Sequence, residues 1–212
     1  MASRDVGRLL PWPPIPPRSS PPTRTCGPST RASAPVVAGT VVTSPAPLPI
    51  QCNAQRALGR FIGGPFQDDD GRGGPGGWWI FPEVDVRFGP HDILRPDMSG
   101  WRRERLADPW YARPIDVVPD WICEILSPSN ARHDRVTKRR LYAAHGVAHY
   151  WIVDVEQRLL EAHRLGDEGD WIVVGVYGDE SAAIPPFEAV DLAVSRLFPP
   201  LRPPLPPARS DE

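Results

Sequence analysis

The chain has 212 residues, a formal net charge of −2, and 41% hydrophobic and 24% charged residues, which is typical of a water-soluble globular fold. It contains no run of about 18 apolar residues, and no apolar segment follows the first arginines, so we expect neither a transmembrane helix nor a secretory signal. Residues 51–198 hold 17 basic and 23 acidic groups, so bulk charge gives no indication of a nucleic-acid or membrane partner.

Prolines divide the chain into a body and two ends. Of the 29 prolines, 12 lie in residues 1–50 and 8 in residues 185–212. Proline-rich chain cannot form a hydrogen-bonded ladder, so we predict a disordered extension at 1–34, one domain at 35–198 and a proline-rich tail at 199–212.

Cysteine usage indicates the cellular compartment. Cys26, Cys52 and Cys123 are odd in number, scattered and without a CxxC pair, which argues against a disulfide framework or a structural zinc site. We therefore expect a cytoplasmic protein.

The first predicted elements surround a glycine-rich segment. We expect a short strand at 39–44 and a helix at 51–62 that is ended by Gly63 and Gly64. Residues 63–77 contain seven glycines and predict a flexible loop, in which the run 68–70 of three aspartates is expected to be a solvated turn.

Alternating and apolar runs then predict a sheet. We expect a strand at 78–88 that forms a hairpin with a strand at 93–101, followed by a polar excursion at 102–118. Residues 119–126 read as an apolar strand in the centre of the sheet. The remaining predictions are a helix at 131–145, strands at 148–154, 159–165 and 171–177, and a closing helix at 190–198. This order predicts a mixed α/β or α+β fold.

Two carboxylates in the predicted sheet are candidates for chemistry. Glu124 stands inside the apolar strand, where a charged group must be protonated, paired or bound to a metal. If the strand of Asp97 is its neighbour, the two carboxylates converge, and oxygen ligands of this kind suit Mg²⁺ or Mn²⁺. Asp120 lies four residues before Glu124, roughly 13 Å along a strand, so we assign it to the outer shell of the site.

Lys138 is the only lysine among 24 basic residues. Either compositional bias left one lysine by chance, or a site requires a compact ammonium that the broad arginine fork cannot replace. On the predicted helix, Thr137, Leu141 and Ala144 form the stripe toward the sheet, and Lys138 lies on a flank together with Asp134, Tyr142 and His145. An ordinary Asp134–Lys138 pair on the helix surface is the alternative.

The motifs around these residues resemble a known family. The string from Asp120 to Ser129 (DWICEILSPS), then 132–138 (RHDRVTK), Tyr142, Gly146-Val147 and Tyr150–Asp154 (YWIVD) are similar to the Uma-two family of restriction-endonuclease-like proteins, a branch of the PD-(D/E)XK nuclease superfamily. The similarity covers about residues 36–198. It implies a restriction-endonuclease-like mixed sheet flanked by helices.

The resemblance also implies roles for single residues. Asp97 would be the aspartate of the PD motif and Glu124 the glutamate of E-x-K, with the backbone carbonyl of Ile125 as a third metal ligand. Leu126 stands where the motif has lysine, so Lys138 would supply the ammonium from the helix. A second departure lies at 34–39, where a proline replaces the glutamate of the family's Tyr-Glu-x-x-x-Gly segment.

The sequence therefore predicts a Mg²⁺- or Mn²⁺-dependent endonuclease that hydrolyses DNA. Asp97, Glu124 and Lys138 are the predicted catalytic residues, and Asp120, Asp134 and Tyr142 their support. Phosphate contacts are expected from the arginines Arg102, Arg103, Arg105, Arg135 and Arg139. The alternative is a non-catalytic nucleic-acid-binding or interaction protein on the same fold, whose proline-rich ends bind a proline-motif-binding partner. A homodimer is compatible with both.

Overall fold

The computed structural model describes residues 36–37, 40–41, 46–127 and 133–201, with backbone only at 36–37, 40–41 and 133–135. The strands are β1 Val36–Val37, β2 Thr40–Val41, β3 Trp78–Pro82, β4 Val86–Gly89, β5 Asp92–Leu94, β6 Met98–Arg102, β7 Trp121–Ile125, β8 His149–Asp154, β9 Leu159–Leu165, β10 Trp171–Tyr177, β11 Ser181–Ala183 and β12 Asp191–Ala193. The α-helices are α1 Pro49–Leu58 and α2 Arg139–Ala144, adjoined by π-helical Gly59–Asp68 and His133–Lys138, and a 3₁₀ helix spans Val194–Leu197.

A six-stranded sheet in the order β10-β9-β8-β7-β6-β3 organises the fold. Its β7–β8 pair is parallel and the other neighbours are antiparallel. A parallel pair needs a crossover, which here contains α2. The prediction of a mixed α+β sheet is confirmed, and the apolar strand predicted at its centre is β7.

The two faces of this sheet are covered by different helices. Buried residues of α1 pack on the face that carries Trp78, Trp121 and Trp151. The ring of Phe187 joins this cluster at 4.9, 5.0 and 5.6 Å from those three indoles. Aromatic pairs of this kind contribute about 0.5–1.5 kcal/mol each beyond their buried area. The α2 helix instead packs Tyr142 on the opposite face, which carries Ile122 and Ile152.

The predicted long hairpin of 78–88 with 93–101 is wrong in one respect, because both of its strands are broken. β4 pairs with β5 in a four-stranded sheet, and β3 pairs with β6 in the six-stranded sheet. The first break includes Glu83, which has φ +50°. The second break, at 95–97, contains Pro96, which has no backbone N–H to give to a ladder. Asp97 therefore stands at a junction between two sheets.

The predicted helix stop at Gly63 and Gly64 is also wrong. The chain continues from α1 into wide helical turns as far as Asp68, and the N–H of Asp69 donates to the Gly64 carbonyl at 2.9 Å. Ile62 and Phe66 are buried in the core on this segment. Their burial offsets the low helix propensity of glycine, which propensity alone cannot anticipate.

The later elements largely follow prediction. Strands β8, β9 and β10 are confirmed, and the described part of the helix predicted at 131–145 is helical from His133 to Ala144. The closing helix at 190–198 is instead β12 followed by one 3₁₀ turn, and its partner β11 was not predicted. Within 39–44, β2 is a strand; the other residues of that prediction and the ends at 1–34 and 202–212 lie outside the described residues.

Strand β10 forms one edge of the six-stranded sheet and exposes aliphatic side chains. Ile172, Val173 and Val176 are each about half exposed, and the pairing with β9 shifts by one residue between Val173 and Gly175. No described helix is long and apolar enough to cross a membrane.

Candidate active site

Glu124 is buried in the central strand β7. Its side chain is 1% exposed and lies on the face that carries Ile122 and Tyr142. The Tyr142 hydroxyl donates to Oε1 at 2.6 Å, and the Lys138 ammonium lies 3.0 Å from Oε2. A buried carboxylate is retained where its oxygens have partners, and both oxygens of Glu124 have one here.

Asp97 lies beside Glu124 in the strand register. β6 and β7 pair antiparallel with Met98 opposite Cys123, so the next position brings Asp97 opposite Glu124. Residues directly opposite one another have their Cβ atoms about 4.5–5.5 Å apart on one face of the sheet. The backbone N–H of Ile125 donates to Asp97 Oδ2 at 2.6 Å, which fixes this carboxylate at the end of β7.

Two glutamines of α1, which the sequence analysis missed, hold the backbone of this site. Gln51 Nε2 donates to the carbonyl of Ile125 at 3.2 Å, and Gln55 Nε2 donates to the carbonyl of Asp97 at 3.0 Å. Gln51 Oε1 also accepts from the Leu48 N–H, which fixes the orientation of its amide. Their spacing in the sequence could have identified them, since residues four apart share a helix face. Gln51 and Gln55 both border the buried Ala54 and Leu58.

The donor set matches a hard divalent cation. The carboxylates of Asp97 and Glu124 and the carbonyl of Ile125 are all oxygen donors from neighbouring positions at the end of β7, and a carbonyl bound by Gln51 keeps a second lone pair. Within the described residues, no group of three or more His, Cys, Asp or Glu could hold a metal. Any ion here would therefore also need the backbone carbonyl and water.

Burial and the two carboxylates affect a neighbouring thiol. Cys123 precedes Glu124 in β7, is fully buried, and has its pKa raised well above the ordinary value, first by burial and then by the charges of Asp97 and Glu124. The thiol therefore stays protonated and is not a nucleophile. Burial likewise lowers the pKa of His149 at the start of β8, so this imidazole tends to be neutral.

The face of α2 that contacts the sheet differs from the prediction. Tyr142 is fully buried and Lys138 is 16% exposed, whereas Thr137 and Ala144, which were assigned to the buried stripe, are exposed. The π-helical turns before Arg139 change the angle between successive side chains, and Glu124 offers the polar partners that Lys138 and Tyr142 need. The side chain of Asp134 is outside the described residues.

The predicted phosphate-binding arginines differ in how far they are engaged. Arg103 pairs with Asp70 and donates to the carbonyls of Gln67 and Trp78 at 3.0 and 3.1 Å. Arg105 pairs with Asp120 at 2.5 Å.

Arg102 is exposed, with its guanidinium 4.4 Å from the centre of the Trp78 ring. Arg139 is half-buried, and its carbonyl accepts from Trp171 Nε1. The side chain of Arg135 lies outside the described residues.

Asp120 lies at the other end of β7 and holds the excursion after β6. Its Oδ2 accepts from the Arg102 N–H at 2.8 Å, and its Oδ1 pairs with Arg105. These contacts attach the chain that follows β6 to the start of β7.

The chain is similar to known proteins in sequence and in fold. The family model described as "Putative restriction endonuclease" (Uma2) matches residues 26–195. Among solved structures, the chain is similar to a protein from Anabaena variabilis ATCC 29413 described as "a putative nuclease belonging to DUF820", with 19% identity, a TM-score of 0.61, and coverage of 78% of this chain and 89% of that one. At this identity the likeness shows the fold. No curated protein matches.

Proposed function

Because the chain belongs to the Uma2 restriction endonuclease family, a family of nuclease-like proteins, we propose that it is a Mg²⁺- or Mn²⁺-dependent endonuclease that hydrolyses DNA phosphodiester bonds. One observation carries the proposal. In the strand register Asp97 is opposite Glu124, and Nζ of Lys138, the only lysine, lies 3.0 Å from Glu124 Oε2. Two carboxylates and an ammonium converging on one face are suited to phosphoryl transfer.

Asp97, Glu124 and the carbonyl of Ile125 would hold the cation. When bound, a divalent ion supplies charge neutralisation at the scissile phosphate and lowers the pKa of a water molecule. Glu124 needs a fixed orientation for this role, and the hydrogen bond from Tyr142 supplies it. The bond from the Ile125 N–H does the same for Asp97.

Lys138 would act on the attacking water and the phosphate. Its ammonium lies 3.0 Å from the buried carboxylate, and the Lys138 side chain as a whole is 16% exposed. There it orients the water and offsets the negative charge that grows on the phosphate oxygens as the new P–O bond forms and the old one breaks. A compact ammonium suits this position better than a guanidinium, since it fits beside both an oxygen of Glu124 and a water.

Arg102 is the best described candidate for a phosphate contact outside the reacting group. It is exposed, whereas Arg103 and Arg105 are already paired with aspartates. Because residues 51–198 carry an excess of acids, binding should be weak and fall steeply with salt.

Nicking of supercoiled plasmid during a Mg²⁺ and Mn²⁺ titration tests the proposal, with EDTA as the blank. We expect metal-dependent open circles from the parent protein and none from Asp97→Asn or Glu124→Gln. Calorimetric metal titration of the same three proteins gives a readout besides activity, with the strongest binding by the parent. Equal nicking by parent and variants would identify a contaminant, and DNA binding without cleavage would favour the non-catalytic alternative.

A further inference from the structure

A pair of exposed aromatic residues lies on the excursion between β6 and β7. Trp110 is 59% exposed and Tyr111 is 96% exposed. Soluble folds rarely leave neighbouring large aromatic side chains in water without a function, because burial of each would stabilise the fold by several kcal/mol at about 25 cal/mol per Å².

The excursion is firmly anchored beneath this pair. Leu106 and Ile115 are buried in the core of the α2 face. Trp79 Nε1 donates to the Leu106 carbonyl at 2.9 Å, and Trp101 Nε1 donates to the Val117 carbonyl at 2.8 Å. The aromatic pair is therefore held by a fixed support, so little conformational entropy is lost when it binds a ligand.

One side of Trp110 is supported by other aromatic rings. Its ring centre lies 5.2 Å from that of Trp79 and 5.8 Å from that of Phe81, edge to face in both cases. The Arg103 guanidinium covers the Trp79 ring at 4.0 Å. Trp110 thus forms the outer layer of a stack of aromatic rings, and the next residue, Tyr111, is exposed to solvent.

The stack and the candidate active site are on the same face of the sheet. Phe81 pairs with Ser99 across β3 and β6, and Ser99 follows Asp97 by two residues, which returns it to the face of Asp97 and Glu124. At ~3.3 Å per residue and ~4.8 Å between strands, Phe81 is roughly 8 Å from Asp97 in the sheet lattice. The Phe81 end of the stack therefore lies near the candidate active site, and Trp110 extends the stack from there.

Arginines lie near the aromatic pair although the body is acidic. Residues 102–113 hold four arginines and two acids; Arg103, Arg105 and Arg113 pair with aspartates, and Arg102 has its guanidinium over the Trp78 ring. The Arg113 side chain is 67% exposed and stands two residues after Tyr111. Aromatic rings interspersed with cations are the usual platform for unpaired nucleotides, whose bases stack on the rings while the cations meet the phosphates.

We infer that Trp110 and Tyr111 stack on unpaired bases of a nucleic acid, so the substrate is DNA with a single-stranded segment next to the cleaved bond. The assignment of DNA to the active site rests on the proposed function. A base inside a duplex hides both of its faces in the stack, whereas an unpaired base exposes them to a ring such as that of Tyr111.

Fluorescence anisotropy in EDTA, where no metal-dependent cleavage occurs, tests the inference. The probes are a labelled mixed-sequence single strand and the blunt duplex of the same sequence. Tyr111 carries the test because it is nearly fully exposed and its removal leaves no cavity. We expect Tyr111→Ala to raise the single-strand Kd by about 5- to 100-fold, the range for one stacked base, and the duplex Kd by less than about 2-fold.

Two controls define the chemistry. Tyr111→Phe keeps the ring and should bind within about 2-fold of the parent, while Val173→Ala removes an exposed side chain from the far edge strand β10 and should have no effect. An unchanged single-strand Kd for Tyr111→Ala, or equal losses for single strand and duplex, would overturn the inference.

The binding assay and the plasmid assay fail separately. Suppose that the parent protein nicks plasmid and that Tyr111→Ala binds single strands as tightly as the parent. This result would contradict the stacking surface and leave the nuclease proposal unaffected. Single-strand binding that depends on Tyr111, without metal-dependent cleavage of either the plasmid or the labelled single strand by the parent, would support the surface and remove the proposed function.

Discussion

Among the described residues, the structure buries two carboxylates, Asp85 and Glu124, and surrounds them differently. Asp85 is bound by arginines: Arg95 reaches its Oδ1 at 2.7 and 2.8 Å, and Arg113 reaches its Oδ2 at 3.3 Å. Glu124 is bound by Lys138 and Tyr142. Burial with an ion pair is thus common to both positions and does not by itself identify a catalytic group.

The difference lies in the cation and in the neighbours. At Asp85, Arg113 fastens the break between β3 and β4 to the excursion, whose Ile115 N–H also donates to the Asp85 carbonyl at 2.8 Å, and Arg95 fastens it to the break between β5 and β6. Glu124 is instead paired with the compact ammonium of Lys138, and the strand register puts a second carboxylate, that of Asp97, opposite it. Arginine suits a fixed multidentate attachment, and lysine suits a site where one charge must face a reacting oxygen.

The sharpest test of this contrast is the loss of one negative charge at each position. Glu124→Gln should lower the single-turnover rate of plasmid nicking by roughly 10³-fold or more, about 4 kcal/mol, because one of two proposed carboxylate ligands is lost. Asp85→Asn should retain most of the rate. Comparable losses in the two variants would show that the contrast between them has no chemical meaning.

Exchange of the cation gives the next largest effect. Lys138→Arg keeps the charge beside Glu124 but enlarges and flattens the head group, so nicking should fall by roughly 10²-fold, about 2.7 kcal/mol. The free energy of unfolding, obtained from thermal melting, should change by less than about 1 kcal/mol, since the ion pair persists. A variant as active as the parent would make the single lysine an accident of composition.

At Asp85 the main effect should be on stability. Asp85→Ala removes the partner of two arginines and should lower the free energy of unfolding by about 2 kcal/mol, since both arginines are partly exposed and can regain water. For a domain of this size the melting temperature should fall by roughly 4–8 °C. The rate per folded molecule, measured well below the melting temperature, should stay within about 3-fold of the parent.

The smallest expected effect concerns the support beneath the site. Gln55→Met keeps the length of the side chain and loses the hydrogen bond to the Asp97 carbonyl, so nicking should drop about 10-fold, as for other residues that orient metal ligands. Arg56→Met, an exposed neighbour on α1, is the matched control and should change the rate by less than about 2-fold. Equal effects on both would mean that α1 only covers the core.

The sheet and its two carboxylates, Asp97 and Glu124, could be predicted from the sequence for one physical reason. Apolar runs such as β7 must be buried, and a glutamate within such a run needs a partner. The breaks at Glu83 and Pro96 could not be predicted. The alternating pattern of side chains continues through Glu83, and which strands pair in which of the two sheets is decided only by tertiary structure. The helical turns through Gly63 likewise depend on the burial of Ile62 and Phe66.

The surroundings of the site were harder to predict than its centre. Lys138 stood out because no other lysine exists, but Gln51 and Gln55 resemble ordinary polar residues of a helix until the backbone carbonyls they meet are known. The arginines were predicted as one group from sequence proximity. Arg103 and Arg105 are instead paired with Asp70 and Asp120, acids 33 and 15 residues away, a relation that only the folded chain reveals.

The edge strand β10 has a consequence for the behaviour of the protein at high concentration. Its seven residues, WIVVGVY, contain no charge and no proline, and its outer backbone groups face away from β9. Natural edges are commonly protected by lysine, proline or a bulge, and here the irregularity around Val174 is the sole protection of this kind within the strand. We expect self-association on concentration or warming to begin at this edge, and Val174→Lys to raise solubility without altering the site.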